Sequence, residues 1–399
     1  MQSKTKPIFA FGSKSHGNTL MWVDEFRWLM SFWYIEKIRP KGIPMGGHIE
    51  SLEWQGDLDK GDCLMLDSGA YTALKQNTPI WIWEYIDFIK LYKKHFWPIV
   101  VLDVIGSPVF SEVNWRLMQH YLPEVEIMPV YHSGEPYSHL QRYIDQGTKY
   151  VGIAPYSSMS NEKSIQMFLE NVWEQTDITS IDMHGFGYLN LTNLHRFRMT
   201  TADSTTWVMA AAHGRLVLPP ELGGQTITYS DHPKRRGTPN DLSTILTIPG
   251  KRDIYEDYIK QVIDYRKLTA GFSKEGKPTT NRKKVKTTRA MEIEDLSQTA
   301  FRAAFNAASV AFWFDTGYSD YKFQDEVYTE EHLFWDEPEE DDYFYRYYPE
   351  RIEPILEEAI RMKRTYSGYP DCMADFLTNK GWEDEMYTYQ RAQSQWDGL

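Results

Sequence analysis

Cysteine is nearly absent from this 399-residue chain, and the two present, Cys63 and Cys372, are far apart. Two distant thiols exclude a disulfide framework and a four-cysteine zinc site, and both are expected to be reduced thiols in a cytoplasmic protein. Long apolar runs are also missing. No stretch approaches the roughly 20 residues that a membrane span requires, and the start, Met1 to Lys6, carries no secretory pattern, so no membrane partner is expected. No glycine-rich dinucleotide or phosphate loop follows the first strand-like run, which disfavours an open nucleotide-binding sheet. Positive charge is in deficit, 43 Lys and Arg against 56 Asp and Glu, for a formal net charge of -13. This argues against a surface that coats nucleic acid all over, whereas a local basic face remains open.

The remaining composition is that of a globular chain, 42% hydrophobic and 15% aromatic, which can bury a large core. Strand-like runs recur at 7–11, 64–67, 99–104, 126–131, 150–154, 181–186 and 201–208. Segments with helical spacing lie between them. Trp81 to His95 places Ile82, Ile86, Ile89 and Tyr92 near one face, Leu140 to Gln146 and Ser164 to Trp173 add two more helices, and Gly147 is placed to cap the first of these. Alternating strands and helices give an α/β fold with a parallel sheet, and the pattern is read as a (β/α)8 TIM-like barrel over residues 1–250. Residues 251–399 are expected to form a mostly helical C-terminal extension, with a helix from Leu296 to Phe314, a basic run near 282–289 and an acidic one near 336–342.

Three of the strand-like runs end in a single aspartate: Leu64-Met65-Leu66-Asp67, Val100-Val101-Leu102-Asp103 and Thr201-Ala202-Asp203. In a parallel barrel the strand C-termini share one mouth, so Asp67, Asp103 and Asp203 become neighbours despite their sequence separation. Each also has a plainer reading. Asp67 before Ser68 and Gly69 closes an Asx turn or caps a helix as readily as it does chemistry, and Asp203 fits a helix N-cap. Thr201, Ser204, Thr205 and Thr206 offer hydroxyls that could hold Asp203 ionised. Asp103 sits in so apolar a run that its carboxylate needs a partner or a function. His132 and His184 also end strand-like runs, and each is a ligand contact or a structural group. Gly152, next to Ile153, permits either a planar ligand or close packing.

In their order and approximate spacing these segments resemble the tRNA-guanine transglycosylases and their DNA-acting relatives in phages and bacteria, which insert 7-deazaguanine bases. Asp67-Ser68-Gly69-Ala70-Tyr71 is similar to that family's Asp-Ser-Gly-Gly-Phe motif. Asp103 is similar to its base-reading aspartate, and Asp203 takes the place of its nucleophile. Val130 to Gly134 lies where the family has Val-Gln-Gly, Gly152-Ile153-Ala154 where it has Gly-Gly-Leu-Ala, and His184 to Gly187 where it has Met-Gly-Val-Gly.

The resemblance spans residues 8–215 and implies a retaining base exchange with Asp203 as nucleophile and Asp67 as general acid and base. Asp103, Tyr71, Ser68, Gly69, His132, Gly152, Ile153 and His184 would bind the base. The family's Cys-x-Cys-x-x-Cys zinc cluster has no counterpart, so no metal or other cofactor is expected. The compact phage versions are the most similar, which implies DNA as partner, a base such as 7-cyano-7-deazaguanine as co-substrate, and room for a homodimer. Arg235, Arg236, Lys283, Lys284 and Lys286 are the candidate backbone contacts, although solvated loops account for them about as well. A tRNA enzyme of the same chemistry, a barrel glycoside or nucleoside hydrolase, and a binding subunit without activity stay open.

Overall fold

In the computed structural model the described residues are 5–12, 14–23, 25–38, 63–76, 80–155, 162–176, 180–188, 194, 197, 199–218, 226–229, 241–266, 293–316 and 348–365. Arg235, Arg236, Lys283, Lys284, Lys286 and the acidic run near 336–342 lie outside them.

Nine parallel segments form the principal sheet: β1 (Lys6–Phe11), β2 (Arg27–Ser31), β3 (Cys63–Asp67), β4 (Ile99–Val100), β5 (Ile127–Met128), β6 (Val130–His132), β7 (Tyr150–Ala154), β8 (Asp182–Gly185) and β9 (Thr201–Ser204). Their order is β5-β4-β3-β2-β1-β9-β8-β7-β6. The two edge segments, β5 and β6, are halves of one stretch of chain, separated by Pro129 alone. Proline has no amide to donate, so the ladder breaks there. The chain nevertheless continues: Met128 O accepts from Val101 N (2.9 Å) on one side and Pro129 O accepts from Gly152 N (2.8 Å) on the other. Eight staves therefore close into a TIM-like barrel, the α/β fold expected from the sequence.

Both faces of such strands are covered, which is why they read as continuous apolar runs. The helices that cover them are α1 (Lys14–Trp22), α2 (Phe32–Ile38), α3 (Ala70–Gln76), α4 (Ile82–Tyr92), α5 (Pro108–Tyr121), α6 (Tyr137–Asp145), α7 (Glu162–Gln175) and α8 (Thr206–Ala212). Helix α6 ends as its glycine predicts. Gly147 adopts φ +83°, its N–H bonds Ile144 O (2.9 Å) and Thr148 N bonds Tyr143 O (3.2 Å), a Schellman close.

Three differences from the sequence reading bear on the site. Strand β2 was not anticipated, because Arg-Trp-Leu-Met-Ser runs directly into the aromatic start of α2; its Arg27 is buried against Glu25 (2.9 Å) and Asp315 (3.0 Å). The run 99–104 is strand only to Val100. Beyond it α5 captures the backbone: Asn114 Nδ2 donates to Leu102 O (2.8 Å), and Ser111 Oγ accepts from Val104 N (2.9 Å). Those bonds draw the chain out of the ladder on either side of Asp103. The run 201–208 turns helical early, since Ser204 Oγ accepts the Thr206 N–H (2.8 Å) and starts α8.

After α8 the chain forms an antiparallel pair, β10 (Arg215–Val217) with β11 (Thr226–Thr228), and then α9 (Leu242–Ile245), α10 (Lys251–Arg266), α11 (Thr299–Thr316) and α12 (Ile352–Thr365). Helix α11 is buried on every side through residues 301–311, as expected of a helix rich in alanine and phenylalanine. It packs on α8, α1 and β1 and shares their core. Asn306 stitches it in place: its Nδ2 donates to Trp207 O and Arg215 O (both 3.1 Å), and its Oδ1 accepts from Val217 N (2.8 Å). Helix α12 packs instead on α5 through Leu117, Leu356 and Ala359, with an Arg116–Glu353 ion pair. No helix among the described residues is long and apolar enough to cross a membrane.

Candidate active site

Asp67 ends β3, Asp103 follows β4 and Asp203 lies on β9, all at the C-terminal mouth of the barrel. They face one another closely enough to act on each other's charge. Burial, followed by the negative charges of Asp103 and Asp203, pushes the Asp67 carboxyl up to about 7, against the opposing pull of the Gly69 N–H. Asp67 is thus a carboxyl poised to hold a proton near neutrality.

The Asx turn anticipated at Asp67 is present, since Asp67 Oδ2 accepts from Gly69 N at 3.0 Å. Gly69 has φ +85°, and a Cβ there would lie 2.3 Å from Ser31 Oγ and 2.5 Å from Trp33 Cβ. No other residue fits this turn. Ser68 is fully buried; its hydroxyl accepts from Ala70 N and donates to Asp103 Oδ1, each at 3.3 Å. It therefore braces the first aspartate's turn against the second aspartate. Tyr71, on the first turn of α3, is 52% exposed, with the Lys75 ammonium 5.5 Å from its ring centre. One face of the ring thus carries a cation, while the residue as a whole is half exposed.

Asp203 is held differently. The Thr201, Ser204 and Thr206 hydroxyls, read from sequence as its candidate partners, bond elsewhere; its Oδ1 accepts instead from Gly187 N (2.7 Å) and pairs with His184 Nε2 (3.3 Å). Nor does Asp203 cap α8, whose first flanking residue is Thr205. His184 is wholly buried, and its Nδ1 lies 2.7 Å from Thr201 Oγ1, which in turn meets the Tyr150 hydroxyl. A chain running from the Tyr150 O–H through Thr201 to His184 gives the ring one acceptor and one donor, so Nε2–H points at Asp203. Both bonds fall on Oδ1.

His132, at the end of β6, pairs with Asp103: its Nε2 is 3.0 Å from Asp103 Oδ2. Gly152 and Ile153 lie near the C-terminal end of β7, Gly152 level with His184, but the contacts they make are with neighbouring staves. A Cβ on Gly152 would fall 2.4 Å from the Phe186 ring, its N–H is spent on Pro129 O, and Ile153 is buried with its carbonyl bonded to Phe186 N. Their role is packing of neighbouring staves. The sequence reading missed Gly187, which supplies a backbone donor, and Glu135, whose carboxylate meets His132 Nδ1 at 3.1 Å. The only hint of the latter was an acid three residues beyond a histidine, just past the turn glycine Gly134.

The residues present do not fit the zinc site of the resembled family. Cys63 is buried in β3, and no group of three or more His, Cys, Asp or Glu among the described residues is arranged to hold a metal ion. Comparison of the sequence with protein-family models finds no match, and a search of curated proteins finds none either.

Proposed function

We propose that the protein exchanges guanine for a 7-deazaguanine base in a nucleic acid, DNA being the partner that the resemblance to compact phage enzymes favours. The observation that carries this reading is the trio of aspartates at one barrel mouth, each in a different state of restraint. The Asp203 carboxylate attacks the sugar C1′ and the C1′–N9 bond breaks. The proton held on Asp67 passes to the departing purine, leaving an aspartyl ester. The incoming base gives its N9 proton to the Asp67 carboxylate, and its nitrogen displaces Asp203. Two inversions return the original configuration, as in retaining glycosidases.

Asp103 accepts from the N1–H and exocyclic amine of a guanine-like edge, a pair of donors that adenine lacks there. Tyr71 stacks on the ring. The target nucleotide must leave its helix to reach Asp203, so a flipped or single-stranded base is the working substrate.

The test is exchange of labelled 7-cyano-7-deazaguanine, with guanine release, into duplex DNA, single-stranded DNA and tRNA, for the natural protein and Asp203→Ala. Exchange into DNA that the substitution abolishes supports the proposal. Exchange into tRNA alone moves the partner to RNA, and sugar release without any base exchange favours a barrel hydrolase.

A further inference from the structure

Behind Asp103 the barrel wall holds a second set of ionisable groups that the aspartate chemistry does not use. Glu135 grips His132 twice: one carboxylate oxygen lies 3.1 Å from Nδ1, and the other accepts the His132 backbone N–H at 3.0 Å. The grip is itself fixed by a tight turn, with Gly134 at φ +88°, Glu135 N on His132 O (3.2 Å) and the Tyr131 hydroxyl on Glu135 O (2.7 Å). On the far side of the ring, Nε2 reaches Asp103 Oδ2 at 3.0 Å. A neutral imidazole has a single N–H and can serve a carboxylate at one nitrogen only. With carboxylates at both nitrogens, the arrangement calls for an imidazolium.

We propose that Glu135 and His132 are positioning residues of the base pocket: Glu135 holds His132 doubly protonated, and the imidazolium keeps Asp103 a fixed, ionised acceptor. The proton of the aspartate trio then resides on Asp67. This assignment rests on the base-exchange reading. A protonated Asp103 would turn a donor towards the N1–H of guanine and lose the edge it is meant to recognise.

The surroundings are consistent with it. Burial by itself would lower the His132 pKa, but Glu135 and Asp103 more than offset this and push it up to about 10. Facing the same cluster from α5 and α6 are Glu112, His139 and Arg142: His139 lies 3.9 Å from Glu135 and 3.4 Å from Glu112, whose other oxygen takes Arg142 at 2.9 Å. Facing Asp103 from the barrel side are Ser68 and Asp67, with Tyr85 of α4 beneath.

The experiment is a pH titration of the ring nitrogens of His132 by NMR in the full-length chain labelled at histidine, assigned by the signal missing from His132→Gln. Free guanine and 7-cyano-7-deazaguanine binding is measured alongside. The proposal expects both His132 nitrogens to stay protonated through pH 9. In Glu135→Gln the midpoint drops by about 1–3 pH units and base affinity falls with it; Glu135→Asp restores part of both. A His132 that loses its proton near pH 6.5 in the natural chain overturns the proposal even if Glu135→Gln fails to fold. So does a folded Glu135→Gln with titration and base affinity unchanged. The two readings separate cleanly. Persistent protonation with base binding that Glu135→Gln weakens, but without exchange on any nucleic acid, upholds the Glu135–His132 assignment and refutes the transglycosylase, whereas normal exchange with a neutral His132 at pH 8 does the opposite.

Discussion

Replacing Asp67 by asparagine should make the protein more stable at alkaline pH while abolishing base exchange. In the folded chain this carboxyl is raised from 3.8 to about 7, first by burial and then by Asp103 and Asp203. At about 1.4 kcal/mol per pH unit, that shift corresponds to about 4 kcal/mol of strain whenever Asp67 is ionised. Asp67 is partly open to solvent, so about 2 kcal/mol is the more realistic figure.

The sign follows from proton counts. Between pH 3.8 and about 7 the folded state binds the extra proton, so stability falls as pH rises through this window and stays low above it. Asparagine never ionises and still offers an oxygen to the Gly69 N–H. Denaturant unfolding of both proteins at pH 4 and pH 8.5 should show a small difference at the lower pH and about 2–4 kcal/mol in favour of Asp67→Asn at the higher. Equal stability at pH 8.5, or a gap that does not change with pH, would refute the crowding of charge on which the site's acid–base assignment depends.

Other substitutions probe the frame. Gly69→Ala should cost about 1–2 kcal/mol for its left-handed backbone and a further 1–3 kcal/mol for the contacts a Cβ makes with Ser31 and Trp33, read by denaturant unfolding. Asn306→Ala strands the Val217 N–H and two carbonyls at the joint between α11 and the barrel; a loss of about 2–4 kcal/mol is expected, and a change below about 0.5 kcal/mol would show the joint to be dispensable. His184→Ala frees one side of Asp203 and should lower kcat for exchange by roughly 100-fold with KM little changed, measured by steady-state kinetics.

The aspartates were legible because a carboxylate at the end of an apolar run is costly to place unless a partner or a reaction needs it there. What surrounds them was not, because it depends on register. His184 meets Asp203 because β8 and β9 align His184 with Thr201, two residues short of the aspartate. His132 meets Asp103 because a stave broken at Pro129 still lies beside β4. Neither alignment leaves a mark on local composition, so both histidines read as isolated. Strand β2 was hidden for a related reason: its cationic first residue is held by Glu25, two residues before it, together with Asp315, nearly three hundred positions away. Gly152 shows the converse, a small residue compatible with ligand or packing until Phe186 is seen to fill the space.

The burial of α11 against α1, α8 and β1 also sets an order of events during synthesis. The last stave ends at Ser204, yet the helix that seals the first stave is complete only at Thr316, roughly a hundred residues later. At ribosomal speed that interval is on the order of ten seconds, during which the outer faces of α8 and β1 wait uncovered. A nascent chain cut before Asn306 should therefore be sticky and chaperone-dependent even though Asp67, Asp103 and Asp203 have already emerged. Completion of the barrel that carries the three aspartates is thus postponed to a segment far beyond them in the chain.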